Sequence, residues 1–60
     1  MPEVGDIYCE LKWSVYILLL SRRPEEDGSR WLVLFLNGVL AGQTTEYENH
    51  DIVNWYEKVA

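Results

Sequence analysis

Sixty residues make one small domain (1–60) with ten acidic and five basic side chains, a formal charge of −5. A chain this short buries only about 60% of the surface it exposes when unfolded, and with Cys9 as its one cysteine it cannot staple itself by an internal disulfide. One Cys and one His (Cys9 and His50) fall short of the four ligands of a structural zinc site, and the acidic balance lacks the clustered Lys and Arg that neutralise phosphates.

From Asp6 to Lys12 the residues alternate, with Ile7, Cys9 and Leu11 on one side and Asp6, Tyr8, Glu10 and Lys12 on the other. Period 2 predicts a strand with Ile7, Cys9 and Leu11 toward a core. Cys9 then reads as a buried, unreactive thiol, because a reactive thiolate needs basic neighbours. Trp13-Ser14 predicts a bend or short loop.

Val15–Arg22 is continuously apolar at first and predicts a second strand. Three consecutive leucines favour a helix. The run is short, opens with β-branched and aromatic residues, and stops at Arg23-Pro24, so the strand is preferred. Arg23–Ser29 predicts a hairpin loop of about five to seven residues, since Pro24 and Asp27-Gly28 punctuate turns. Its acids Glu25, Glu26 and Asp27 need solvent, and Arg22, Arg23 and Arg30 flank them.

Arg30–Leu36 predicts a third strand whose two faces are both apolar. Trp31, Val33 and Phe35 lie on one, and Leu32, Leu34 and Leu36 on the other. Asn37-Gly38 follows, the strongest short-range hairpin signal, because both central residues of a type I′ turn need positive φ. Val39–Gln43 would then be the fourth strand, with Gly42 marking a bulge or bend.

Thr45 and Glu48 have the spacing of a capping box, which predicts a short helical turn near Glu46–Asp51. Beyond it, Asp51–Val59 fits a helix through Tyr56 or a strand over Asn54–Val59. The strand is preferred because it would close the sheet. Four or five short strands at turn spacings of about eight to twelve residues imply a small sandwich or barrel. At this size a barrel is favoured, since closure removes exposed edges.

The order of these signals resembles the short SH3-like β-barrel proteins of tailed bacteriophages. The residues carrying the likeness are Val4-Gly5-Asp6-Ile7-Tyr8, the long strand Val15–Ser21, the acidic hairpin loop, the Trp31–Phe35 strand turning on Asn37-Gly38, and Trp55–Val59. The resemblance implies an all-β, small SH3-like barrel of about five antiparallel strands with one short helical turn near the C-terminus. It implies a small accessory or virion-associated protein, and no catalytic residues. Signalling SH3 domains are a poorer match, because Trp31 has no adjacent Trp and no Pro follows Pro24.

Function is read from surface chemistry. The aromatic residues Trp13, Tyr16, Trp31, Trp55 and Tyr56 cannot all fit inside so small a barrel, and Trp and Tyr anchor protein interfaces. They form the first candidate set. An aromatic cage for a methylated ammonium is the alternative, and needs three or four rings to converge. The acids Glu25, Glu26, Asp27, Glu46 and Glu48 form the second set, as a rim for a basic partner or as a nucleic-acid mimic. His50 beside Asp51, Glu46 and Glu48 invites acid–base chemistry, but no nucleophile is indicated near it.

The expectation is a non-enzymatic protein–protein interaction module, without metal or cofactor, that docks on a protein partner or on itself. An acidic inhibitor of a host enzyme and a small-barrel nucleic-acid binder are the alternatives. The amino terminus carries no basic region followed by an apolar core. The longest apolar runs, Val15–Leu20 and Trp31–Leu36, are far short of the ~20 residues that span a bilayer. Host cytoplasm or virion is the expected location.

Overall fold

Alternation at 2-residue period organises the chain, and the computed structural model describes residues 1–26 and 28–60. The strands are β1 (Ile7–Glu10), β2 (Val15–Glu25), β3 (Gly28–Phe35), β4 (Thr44–Glu48) and β5 (Tyr56–Lys58). They form one antiparallel sheet in the order β4-β3-β2-β1-β5. The helix α1 (Asn49–Trp55) carries the chain from β4 across to β5. This is the small SH3-like barrel of five antiparallel strands with one short helix near the C-terminus. β4 and β5 are the sheet's two edges, and the Tyr56 hydroxyl donates to the Tyr47 hydroxyl across them at 3.1 Å.

The core is Tyr8, Ile17, Leu19, Trp31, Val33, Phe35 and Ile52. Ile52 comes from α1 and is fully buried, so the helix acts as a plug over the sheet. Each buried aliphatic side chain of this kind contributes roughly 1.5–3 kcal/mol. Trp31 fills the centre, 1% exposed, and its indole N–H donates to Asn49 Oδ1 at 3.0 Å. That bond ties the first residue of α1 to β3 and satisfies a donor that burial would otherwise penalise.

Several boundaries differ from the sequence expectation. β1 stops at Glu10, and Leu11 is 66% exposed in the turn rather than in the core. Tyr8 faces the core instead, opposite Ile17, while Cys9 pairs with Tyr16 and is buried. Ser14, at φ 54°, completes the tight return to β2.

β2 runs on through Pro24 to Glu25, and β3 begins at Gly28, so the expected loop is mostly strand. Pro24 is tolerated because it lies on a stretch of β2 with no β1 neighbour. A missing N–H costs little where no ladder bond is owed. A register shift between Leu19 and Ser21 absorbs Leu20 as a bulge, which bends β2 as barrel curvature requires.

The Asn37-Gly38 pair is not a two-residue hairpin. Gly38 has φ 82°, but Asn37 is not in the left-handed region, and residues 36–43 form a loop before β4 begins at Thr44. The Asn37 side chain is recruited elsewhere. Its Oδ1 accepts from the Tyr16 N–H at 2.8 Å, and its Nδ2 donates to the Ser14 carbonyl at 3.0 Å. The loop closes on itself where the Gly42 N–H donates to Phe35 O and the Phe35 N–H to Gln43 O, both at 2.9 Å. Val39–Gln43 is therefore loop, not strand.

The last segment is helix and then strand. Thr45 lies inside β4, and the reciprocal cap belongs to Glu48 and Asp51, with the Glu48 N–H donating to Asp51 Oδ2 at 3.2 Å. β5 occupies the middle of the expected Asn54–Val59 strand and pairs with β1, Tyr8 opposite Lys58. No helix among the described residues is long and apolar enough to cross a membrane.

Candidate functional site

Strand alternation decides where each aromatic residue goes. Trp31, expected at an interface, is interior: it shares the core face with Val33 and Phe35. Tyr16 points the other way, onto the outer face with Leu18, Leu34 and Leu36. Trp55 is 69% exposed at the end of α1. Trp13 and Tyr56 are brought together, although forty-odd residues separate them in the chain.

They meet at one end of the barrel, in a groove of about 210 Å³ whose lining is mostly apolar. Val15, Phe35, Tyr47 and Tyr56 form its floor and walls, and Trp13, Val39 and Leu40 its rim. Trp13 is 71% exposed and Val39 is 98% exposed. The Phe35 and Tyr47 rings stand edge to face at 6.4 Å with an interplanar angle of 84°. Tyr47 and Tyr56 lie 5.7 Å apart, tilted by 48°. Burial pushes the Tyr56 phenol well above its usual range, and its bond to Tyr47 pushes it further, as do the nearby charges of Glu10 and Asp51.

Glu10 is the acid in this groove. Its carboxylate is fixed by the β1–β2 turn, with the Lys12 and Trp13 N–H groups donating to its two oxygens, the latter at 3.1 Å. The same turn places Lys12 Nζ 5.3 Å from the Trp13 ring centroid. Tyr47, Phe35 and Glu10 were absent from the expected site. The signal for Tyr47 was its alternation with Thr45, which the helical reading of Glu46–Asp51 obscured.

The acidic set assembles at another place. Arg23 and Arg30 sit opposite one another on β2 and β3, and Arg30 sits opposite Glu48 on β4. Arg30 bonds Glu25 at 3.1 Å and Glu48 at 3.3 Å, while Arg23 approaches Glu46 at 3.4 Å and Glu25 at 3.6 Å. Glu25, Glu46 and Glu48 therefore share two guanidiniums, and the hydrogen bond that Arg30 donates to Glu25 holds Arg30 further toward its charged form. Glu26 lines a polar groove with Glu25, Ser29 and His50. Asp27 lies outside the described residues.

His50 Nε2 lies 3.3 Å from Glu48 Oε2 and 3.4 Å from Asp51 Oδ1. These three side chains offer ligand atoms within 4.8 Å of one another, all at the solvent-facing start of α1. Asp51 and Glu48 are already engaged in the helix cap, and Glu48 also in the arginine network. Comparisons with protein-family models, with curated proteins and with solved structures returned no match.

Proposed function

We propose that the protein is a non-enzymatic protein–protein interaction module that docks a protein partner, or a second copy of itself, through the apolar end of its barrel. One observation carries this reading: Trp13, Val39 and Leu40 stand in solvent around an aromatic groove, although the core is complete without them. Exposed apolar side chains grouped at one place mark an interaction site far more often than scattered ones do. Trp and Tyr also supply much of the energy at such interfaces.

The charged network of β2, β3 and β4 then serves as a polar rim elsewhere on the surface. Its carboxylates are compensated by arginines, which favours this role over mimicry of a polyanion. The resemblance to short phage barrels supports a small accessory or virion-associated component, working in the host cytoplasm or in the particle.

Size-exclusion chromatography with light scattering tests the reading, together with retention of partners on immobilised protein. The comparison is wild type against a Val39→Glu/Leu40→Glu variant. Association that rises from micromolar to millimolar concentration, or a retained partner, and its loss in the variant, is the expected result. A wild-type monomer at every concentration, with retention identical for both proteins, overturns it.

A further inference from the structure

We infer that the groove between the β1–β2 turn and the 36–43 loop binds an alkylated ammonium group, presented by a methylated lysine side chain of a protein partner. Four rings converge on this space: Trp13 at the rim, and Phe35, Tyr47 and Tyr56 within. Two of the inner rings stand at 84° to each other and the next pair at 48°, so they make walls rather than a flat floor. Ring faces carry negative quadrupole charge and attract a cation within about 6 Å of the centroid.

Glu10 adds a formal negative charge beside the rings. Its position is fixed before any ligand arrives, because the turn's N–H groups hold both oxygens. The Trp13 indole already lies 5.3 Å from one cation, Lys12 Nζ. An acid, four rings and a volume of about 210 Å³ match a compact organic cation in charge, shape and size.

The same features discriminate between cations. A bare ammonium carries three N–H donors and a tight hydration shell. The groove offers it one carboxylate whose lone pairs are partly used, and little other polar lining. A methylated ammonium gives up little hydration and presents apolar surface to the rings. It is the ion that this lining accepts at least cost. The rim of Trp13, Val39 and Leu40 extends beyond the cation's own size, giving a shelf for the chain that bears it. The source of the cation, a protein, rests on the docking reading above; the cation site does not.

The test is an NMR amide-shift titration of the intact chain with choline and with its neutral isostere 3,3-dimethylbutan-1-ol. A trimethyllysine peptide and its unmethylated form are titrated in the same way. Choline should shift residues around Glu10, Trp13 and Tyr47, and bind about fivefold or more tighter than the isostere. Trp13→Ala should weaken choline at least about fivefold, and Glu10→Gln about threefold or more, with amide dispersion retained in both. The trimethyllysine peptide should exceed both choline and the unmethylated peptide.

Equal affinity for choline and the isostere overturns the cation site, as does saturation by neither. A trimethyllysine peptide no tighter than choline overturns the protein source of the cation. Failure here beside concentration-dependent mass in light scattering leaves docking intact and removes this site. Choline binding by a partnerless monomer does the reverse.

Discussion

Asn49→Ala isolates the contact between Trp31 and the helix. The Trp31 indole is almost completely buried, and its N–H has one acceptor, Asn49 Oδ1 at 3.0 Å. Removing the acceptor strands a buried donor, which costs about 1–3 kcal/mol. Alanine improves helix propensity at position 49 by only about half a kcal/mol, so the loss dominates. A sixty-residue domain has a total stability of about 3–9 kcal/mol. Each kcal/mol lost should lower Tm by roughly 4–8 °C. Trp31→Phe removes the donor itself and leaves a small cavity, at a cost on the order of 2 kcal/mol. In that background Asn49→Ala should cost almost nothing, because no indole remains to strand. The double-mutant coupling should therefore be about 1–2 kcal/mol. Urea unfolding followed by far-UV circular dichroism reads all four proteins without depending on Trp31 fluorescence. Additivity within about 0.5 kcal/mol would refute the claim that this bond anchors α1.

Asn37→Ala should cost about 1 kcal/mol by freeing the Tyr16 N–H and the Ser14 carbonyl, and Asn37→Asp, which keeps only the acceptor, should fall between; urea midpoints check both. Gly42→Ala should cost about 1–2 kcal/mol from backbone strain alone, because Gly42 sits at φ 85° with open space where a Cβ would stand; a loss near zero in thermal unfolding would count against that reading. Arg30→Gln should lower Tm by a few degrees at low salt and by less in high salt, since its partners Glu25 and Glu48 are solvent-exposed; a salt-independent loss would contradict a screened surface network. Tyr56 is raised in the folded protein, so folding favours its neutral form. That stabilisation is complete below the unfolded phenol value of about 10 and drains away as pH rises above it. Tyr56→Phe should flatten the alkaline limb of the stability–pH curve.

The two central strands were legible in the sequence because their signals are local, whereas β4 at Thr44–Glu48 lay where a loop and a helical turn were expected. Val15–Leu19 and Trp31–Phe35 announce themselves as strands by composition and alternation, and both are strands. The Asn37-Gly38 hairpin was not legible, because the competing use of the Asn37 side chain lies more than twenty residues back in the chain. A local turn rule has no access to a partner at Ser14 and Tyr16. The capping signal was displaced by three residues, from Thr45/Glu48 to Glu48/Asp51, for a related reason. Glu48 is both the end of a strand paired to Arg30 and the start of a helix, and only the sheet register reveals the first role. For the site, the sequence supplied the right kind of residue and the wrong membership. Tyr16, Trp31 and Trp55 left the set and Phe35 and Tyr47 entered it, because membership depends on which face each strand presents.

The pairing of β1 with β5 has a consequence for the order of folding. β2 and β3 are neighbours in sequence, with Glu25 opposite Gly28, so their ladder closes with little loss of chain entropy. β1 and β5 join opposite ends of the sequence, Tyr8 to Lys58, with a wider sequence separation than the other strand pairs. The entropy of that closure is recovered only after Ile52 and the intervening strands have docked. The β2–β3 ladder should thus be formed in the transition state and the β1–β5 seam should not. Val33→Ala should mainly slow folding, while truncation of the Tyr56 side chain should mainly speed unfolding. Equal φ-values at the two positions would rule out this route.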